Sequence, residues 1–308
     1  ALALTDHGHM NGLPYQVLHA RKMQANGKNF KPIFGVEAYF NPSLEQWREE
    51  YEKAKQEKKK GIKNEIELSI EDERASKQKV VDILKKRNHL ILIAQNQAGL
   101  NNIFKLVSES YKDENFYRYP RIDYKLLDLY GDGIIASSAC LGGVYAGDYW
   151  DYRDISSDAV LSAMRQTTER MKNIFGDRWF GELQWNNIPQ QHELNQYIVQ
   201  ICKEYDVKLI STADSHYPNP DAWKDRELYK RIGWLGKGGL PEYMSAELPS
   251  GVEEVGYELY PKNGEQMWES YHNYSKLVGF DYDDDLVLDS IKRTEYIAHD
   301  LIEDFMPD

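Results

Sequence analysis

Residues Ala1–Met10 read ALALTDHGHM. Small and apolar residues run into Thr5-Asp6-His7-Gly8. The pattern predicts a buried strand whose carboxyl end presents a carboxylate and an imidazole, with Gly8 turning the backbone sharply. Strand carboxyl ends are where α/β and barrel folds place their chemistry. Taken alone, the stretch reads as an ordinary loop with a capping Asp6 and a surface His7. Similar strand ends downstream shift that balance.

Working outward, Pro14–Gly27 carries Tyr15, Leu18, Ala20, Met23 and Ala25 at helical spacing, and Asn26-Gly27 ends the helix. Lys31–Phe40, KPIFGVEAYF, reads as a second strand with Glu37 in apolar company, where a lone carboxylate is costly unless paired or metal-bound. Leu44–Lys60 is a charged helix supported by Glu and Lys four apart, Glu65–Arg74 an acidic loop, and Lys77–Lys86 an amphipathic helix. The apolar run Asn88–Ala94, NHLILIA, fits a strand covered on both faces, as in a parallel sheet. A helix (Asn102–Tyr111), a surface loop (Asp113–Tyr119), a short helix (Asp123–Tyr130) and a strand (Gly133–Ser138) lead to Cys140. Tyr149–Ser157 reads as loop and Asp158–Ile174 as helix. Trp179–Gln184, a strand carrying Glu182, is followed by the helix Pro189–Asp206, the strand Val207–Ser211 and the loop TADSHY. Beyond Pro218 lie helices at Asp221–Leu235, Gly264–Val278 and Asp283–Ile302, with a Gly-rich acidic stretch over Gly236–Gly256. Repeated strand–helix units predict an α/β fold of distorted β/α-barrel type over 1–217, with a helical closing segment over 218–308.

At 308 residues with 41% hydrophobic content, the chain has enough apolar material for a real core, and disorder is excluded. No apolar run reaches membrane-spanning length. Two cysteines rule out a disulfide framework and predict a reducing, cytoplasmic setting. A net charge of −12 makes a poor stand-alone grip on phosphate backbones, so metal ions or a neighbouring domain would have to hold a nucleic acid. The chain opens inside a strand without Met, which reads as a fragment.

The chemistry-bearing candidates are His7, Glu37, His89, Cys140, Asp214 and His216. Imidazole, carboxylate and thiolate form the ligand set of zinc and its neighbours. Converging on one barrel mouth, they would hold two or three divalent ions that activate water and neutralise charge on a phosphoryl group. Asp214-Ser215-His216 is the firmest local signal, with two ligand types two residues apart on one side of an extended segment. Singly, each candidate has a bland alternative: His7 as a loop residue, His89 as a strand start, Cys140 as core. His9, His19, His192, His272 and His299 read as ordinary packing or surface histidines. No G-x-S-x-G elbow, P-loop or G-x-G-x-x-G occurs, and Gly142-Gly143 is a weak phosphate-cradle signal.

ALALTDHGHMNG, KPIFGVEAYF, NHLILIAQNQAGLNNIFKLVSES, PRIDYKLLDLYGDGIIASSACLGGV and GELQWNNIPQQHELNQYIVQICKEYDVKLISTADSHY together resemble the polymerase and histidinol phosphatase (PHP) domain of the bacterial polymerase III alpha subunit, in the family order. SIKRTEYIAHDL is similar to the stretch that closes the domain there. The Leu44–Arg74 excursion departs from the common bacterial pattern and hints at a phage or divergent source. The resemblance implies a distorted seven-stranded barrel with a trinuclear site, zinc or manganese its expected metals. His7, Glu37, His89, Cys140, Asp214 and His216 fall on family ligand positions, with His7, Asp214 and His216 in catalytic roles. The family's first His-x-His motif and a following Asp would precede Ala1. Family geometry leaves Glu37, His89 and Cys140 as one nearly complete site, and the fragment as metal-poor.

In the parent, the resemblance implies a metal-dependent phosphoesterase, a 3′–5′ exonuclease acting on DNA, fused to a DNA-directed DNA polymerase whose own aspartate motif is absent here. Its rivals are a silent PHP scaffold that binds a proofreading exonuclease or stabilises the polymerase, and a phosphatase of small molecules such as histidinol phosphate. The expected partners are DNA and replisome subunits, without a membrane.

Overall fold

The computed structural model describes residues 1–63, 81–241, 244–245, 247–251, 255–256 and 258–307. The predicted acidic loop over 65–74 and the first residues of the helix expected from Lys77 lie outside them. In chain order the strands are β1 (Leu2–His7), β2 (Pro32–Phe40), β3 (Asn88–Ala94), the short hairpin β4 (Phe116–Tyr117) and β5 (Tyr119–Pro120), then β6 (Ile134–Ser137), β7 (Trp179–Gln184) and β8 (Lys208–Thr212). The helices are α1 (Leu13–Ala25), α2 (Leu44–Lys63), α3 (Gln97–Ser110), α4 (Tyr124–Tyr130), α5 (Val144–Tyr152), α6 (Ser157–Phe175), α7 (Pro189–Glu204), α8 (Trp223–Leu235), α9 (Gly264–Val278) and α10 (Asp284–Tyr296). Side chains of Asn96, Asp123 and Ser156 cap α3, α4 and α6, and Asn263 with Gln266 forms a capping box on α9.

Six strands form one sheet in the order β1-β2-β3-β6-β7-β8. Residues of both end strands line one cavity, so the sheet curls as a half-barrel with β1 and β8 at its open edges. The α/β class expected from the strand–helix repeats is the observed one. The apolar run of β3 is not part of a parallel pairing, however. β3 runs antiparallel to both β2 and β6. The β2–β3 connection returns at the end where β2 finishes, so the amino end of β3 lies at the same mouth as the carboxyl ends of β1, β2, β6, β7 and β8. That reversal brings His89, which begins β3, to the mouth.

Strand alternation sorts the side chains. Phe34, Val36, Ala38 and Phe40 of β2, with Leu90, Leu92 and Ala94 of β3, face the main core with Leu100 and Ile103 of α3. The other face carries Ile33, Ile135, Phe180 and Ile210, packed on Ile297, Ala298 and Ile302. These last three belong to the end of α10's path, where a π-helical turn at Ile297–Leu301 replaces the plain helix expected to Ile302. The tail plugs the concave face at the end opposite the mouth, tied by Glu303 N–H to the Gln95 carbonyl and Lys31 Nζ to the Ile302 carbonyl.

Three local expectations change. β1 is an edge strand with one partner, so Leu2 and Leu4 are exposed rather than buried. In α1 the packed residues are Leu13, Val17 and Ala20, whereas Tyr15 and Leu18 face solvent. Tyr149 is buried inside α5, so the loop expected from Tyr149 begins only after Tyr152, and the expected surface loop at Asp113–Tyr119 contains the β4–β5 hairpin.

Candidate metal centre

His7 ends β1 directly opposite Glu37 of the parallel β2. Both project onto the concave face, as do His89 and Glu182 by the same alternation. Gly8 then turns at φ 71°, a left-handed conformation with Pro120 and Tyr39 close enough to exclude a Cβ. Asp6 points the other way and accepts the Gly12 N–H at 2.7 Å, so its role is to hold the turn into α1. The opening motif therefore delivers one mouth ligand, His7, rather than a carboxylate and imidazole pair.

One ligand atom each of His7, Glu37 and His89 lies within 4.8 Å of the others. His89 Nδ1 sits 2.6 Å from Glu37 Oε1, and His7 Nδ1 sits 3.6 Å from Oε2. One carboxylate thus faces two imidazoles, one per oxygen. Cys140 Sγ lies 3.6 Å from His89 Nδ1. The resemblance groups Cys140 with Glu37 and His89; in the tight group its place is taken by His7. On the far side, the His216 ring stands 5.8 Å from that of His7, and His216 Nδ1 lies 3.7 Å from Asp214 Oδ1. All six sequence candidates therefore meet at one mouth.

The supporting backbone is specialised. Gly142's carbonyl accepts the His89 N–H at 2.7 Å, and its own N–H points at Cys140 Sγ at 3.4 Å. A Cβ on Gly143 would stand 1.9 Å from the Ser138 carbonyl oxygen. The glycine pair thus ties the cysteine turn to β3. Ala139 and Asp214 hold φ of 60° and 48°, strained for residues with a Cβ. His216 Nδ1 lies 2.6 Å from the Asp214 carbonyl oxygen, which fixes that loop.

The electrostatics favour a cation. Burial alone would raise Glu37, but the hydrogen bond and charge of His89 outweigh it and hold the carboxylate below its usual range. Burial pushes His7 below its ordinary value, leaving a neutral imidazole. Burial also pushes the Cys140 thiol well up, helped by the charges of Asp214 and Glu37, and it raises Asp214. A bound divalent ion would favour the thiolate of Cys140 and the carboxylate of Asp214 against the burial that raises both, and would take His7 as the neutral imidazole. His7 Nδ1 is buried without a hydrogen-bond partner, an orphan costing about 1–3 kcal/mol. Imidazole, carboxylate and thiol donors plus that orphan fit a divalent transition ion.

A cavity of about 590 Å³ opens beside these groups. Glu182, seen in sequence only as a strand carboxylate, is buried in its wall, accepting from Ser137 Oγ at 2.6 Å and from Thr212 Oγ1. Burial raises it. His9 borders the cavity rather than lying apart from the site. Lys262 is the one lysine or arginine among the described lining residues, and sequence reading missed it. It arrives because the Leu259 carbonyl accepts the N–H groups of His216 and Tyr217, laying the following segment along the mouth. Burial lowers Lys262 to about 8. By contrast His192, fully buried, bonds Tyr282 Oη and the Asn186 carbonyl, a packing histidine as expected.

The DNA polymerase III subunit alpha of Aquifex aeolicus is 38% identical over 221 residues, covering 72% of this chain and 16% of that protein. The Campylobacter jejuni protein of the same name is 30% identical over 281 residues, covering 90% of this chain and 20% of that protein. The chain spans about a fifth or less of the length of these curated relatives. The PHP domain family model matches residues 1–186. That span contains β1, β2, β3 and the cysteine turn, which carry His7, Glu37, His89 and Cys140, so sequence likeness and site geometry meet on the same segments, and the chain belongs to the PHP domain family.

Proposed function

We propose that this chain is the PHP region of a replicative DNA polymerase of the alpha-subunit kind, working in the cytoplasm, and that its mouth is a metal-dependent phosphoesterase centre acting at the 3′ end of DNA. The observation that carries the reading is the convergence of His7, Glu37 and His89 within 4.8 Å around an orphaned imidazole nitrogen. His7, Glu37, His89 and Cys140 would hold ions on one side, and Asp214 with His216 on the other. Bound divalent ions supply a Lewis acid for the phosphoester and lower the pKa of water. Asp214 and His216 orient the attacking water and exchange protons with it. Lys262 offers a cation to the phosphate inside the cavity, and Glu182, its pKa raised by burial, braces the wall through Ser137 and Thr212.

A scaffold reading, in which the domain binds a proofreading exonuclease or stabilises the polymerase, draws on the cavity's charge. Glu37, Glu182 and Asp214 line it against one lysine among the described residues. The test is metal content by mass spectrometry after dialysis against zinc or manganese, with nucleotide release from a labelled primer. Bound metal and chelator-sensitive release, both lost in Glu37→Ala, support the phosphoesterase. Absence of metal and of release in the parent polymerase rejects it in favour of the scaffold.

A further inference from the structure

Beside the metal mouth, rings stand in a column. Tyr39 stacks on His7 with centroids 6.1 Å apart and an interplanar angle of 9°. Tyr119 meets Tyr39 edge to face at 4.9 Å. The Arg87 guanidinium covers Tyr119 at 3.8 Å and Tyr39 at 5.2 Å.

Two arginines on this rim have opposite hydrogen-bond status. Arg121 is buried and donates to the carbonyls of Leu84, Lys86, Tyr117 and Tyr119, locking the approach to β3 onto the β4–β5 hairpin. That lock sets Arg87 over Tyr119. Arg87 itself donates one N–H to the Lys85 carbonyl, and its Nε is buried without a partner. Among the described residues no carboxylate lies within ion-pair distance of it, in a chain whose acids outnumber its bases. A half-buried guanidinium on aromatic faces with spare donors matches a phosphate. On the hairpin, between Tyr117 and Tyr119, Arg118 is exposed over Tyr117. Phe116 on the same hairpin is also exposed, stacked with Tyr111 at 5.7 Å. Exposed rings interleaved with arginines suit a single nucleic-acid strand, whose bases stack while its phosphates are paired.

We propose that the Arg87–Arg118 rim with Phe116 is a single-stranded DNA subsite that leads a strand into the mouth. It deepens the phosphoesterase reading and rests on it for the strand's destination, but binding at the rim requires no metal.

The test is fluorescence anisotropy of a labelled oligothymidylate with the full chain in chelator, over a salt series. Arg87→Ala should weaken binding about fivefold or more and reduce the log–log salt slope by about 0.7. Arg118→Ala, an exposed change that leaves the packed column intact, should do likewise, and Arg87→Lys should keep the slope but lose affinity. Lys208→Ala, a remote surface change, should leave binding unaltered. No binding by the wild type, or equal loss in Arg118→Ala and Lys208→Ala, would overturn the proposal. Arginine-dependent DNA binding, with a parent polymerase that releases no nucleotide when loaded with manganese, would uphold the rim while rejecting the phosphoesterase.

Discussion

Glu37 and His89 touch, Oε1 to Nδ1 at 2.6 Å, although neither is the other's partner in the β2–β3 ladder. Glu37 pairs with Ile91 and His89 with Tyr39, so the contact is a diagonal one across an antiparallel pair. The diagonal exists only because β3 is reversed. In a parallel arrangement the start of β3 would lie at the plugged end of the sheet.

His89→Ala should therefore do more than delete one donor. With the hydrogen bond gone, burial raises Glu37, the cause that His89 now outweighs. Zinc affinity, read by competition with a chromogenic chelator, should fall on the order of tenfold or more, and the pH midpoint of binding should move upward. An unchanged midpoint with reduced affinity would mean that His89 acts on the ion alone.

Much of the mouth's geometry was legible in the residues because most candidates fall near an end of a regular element. His7, Asp214 and His216 follow from strand patterning plus a polar ending, and Glu37 from a carboxylate in apolar company within a strand. Strand direction was not legible: NHLILIA carries a continuous apolar run, and periodicity cannot tell parallel from antiparallel pairing. Lys262 was hidden for a different reason. It reaches the mouth through backbone bonds between Leu259 and His216–Tyr217, a long-range pairing in an irregular segment with no periodic signature. Glu182 was visible as a strand carboxylate, but its neighbours in the wall, Ser137 and Thr212, are brought in by sheet pairing from strands separated from it in the chain by helices.

Stability should carry a pH signature away from the mouth. Asp148 on α5 accepts from Thr167 Oγ1 at 2.7 Å, and burial raises its carboxyl to about 7. The folded state thus binds this proton more tightly than the unfolded chain does. Its stabilising contribution is complete below the ordinary carboxylate pKa and is lost as pH rises toward about 7. Asp148→Asn copies the protonated form. Its melting temperature should exceed the wild type's on the alkaline side of neutrality, with the gap closing on acidification. A gap that is constant with pH would remove Asp148 as the titrating group.

Lys262 offers the sharpest separation of charge from shape. Burial lowers it to about 8, against a contrary pull from Glu258, and its Nζ donates to the Glu258 carbonyl at 2.6 Å and stands 4.0 Å from the centroid of the Tyr260 ring. The ammonium is therefore charged at neutral pH and loses its charge just above it. If it meets the substrate phosphate, KM for a phosphodiester should climb as pH passes about 8, because a diester keeps its single charge throughout. Lys262→Arg retains a cation at every accessible pH, so its KM should stay flat across the same range. Lys262→Met should show the raised KM already at neutral pH, with kcat less affected, the pattern of a lost binding contact. A wild-type profile shared by Lys262→Arg would assign the alkaline limb to another group and leave the lysine as a buttress for Tyr260.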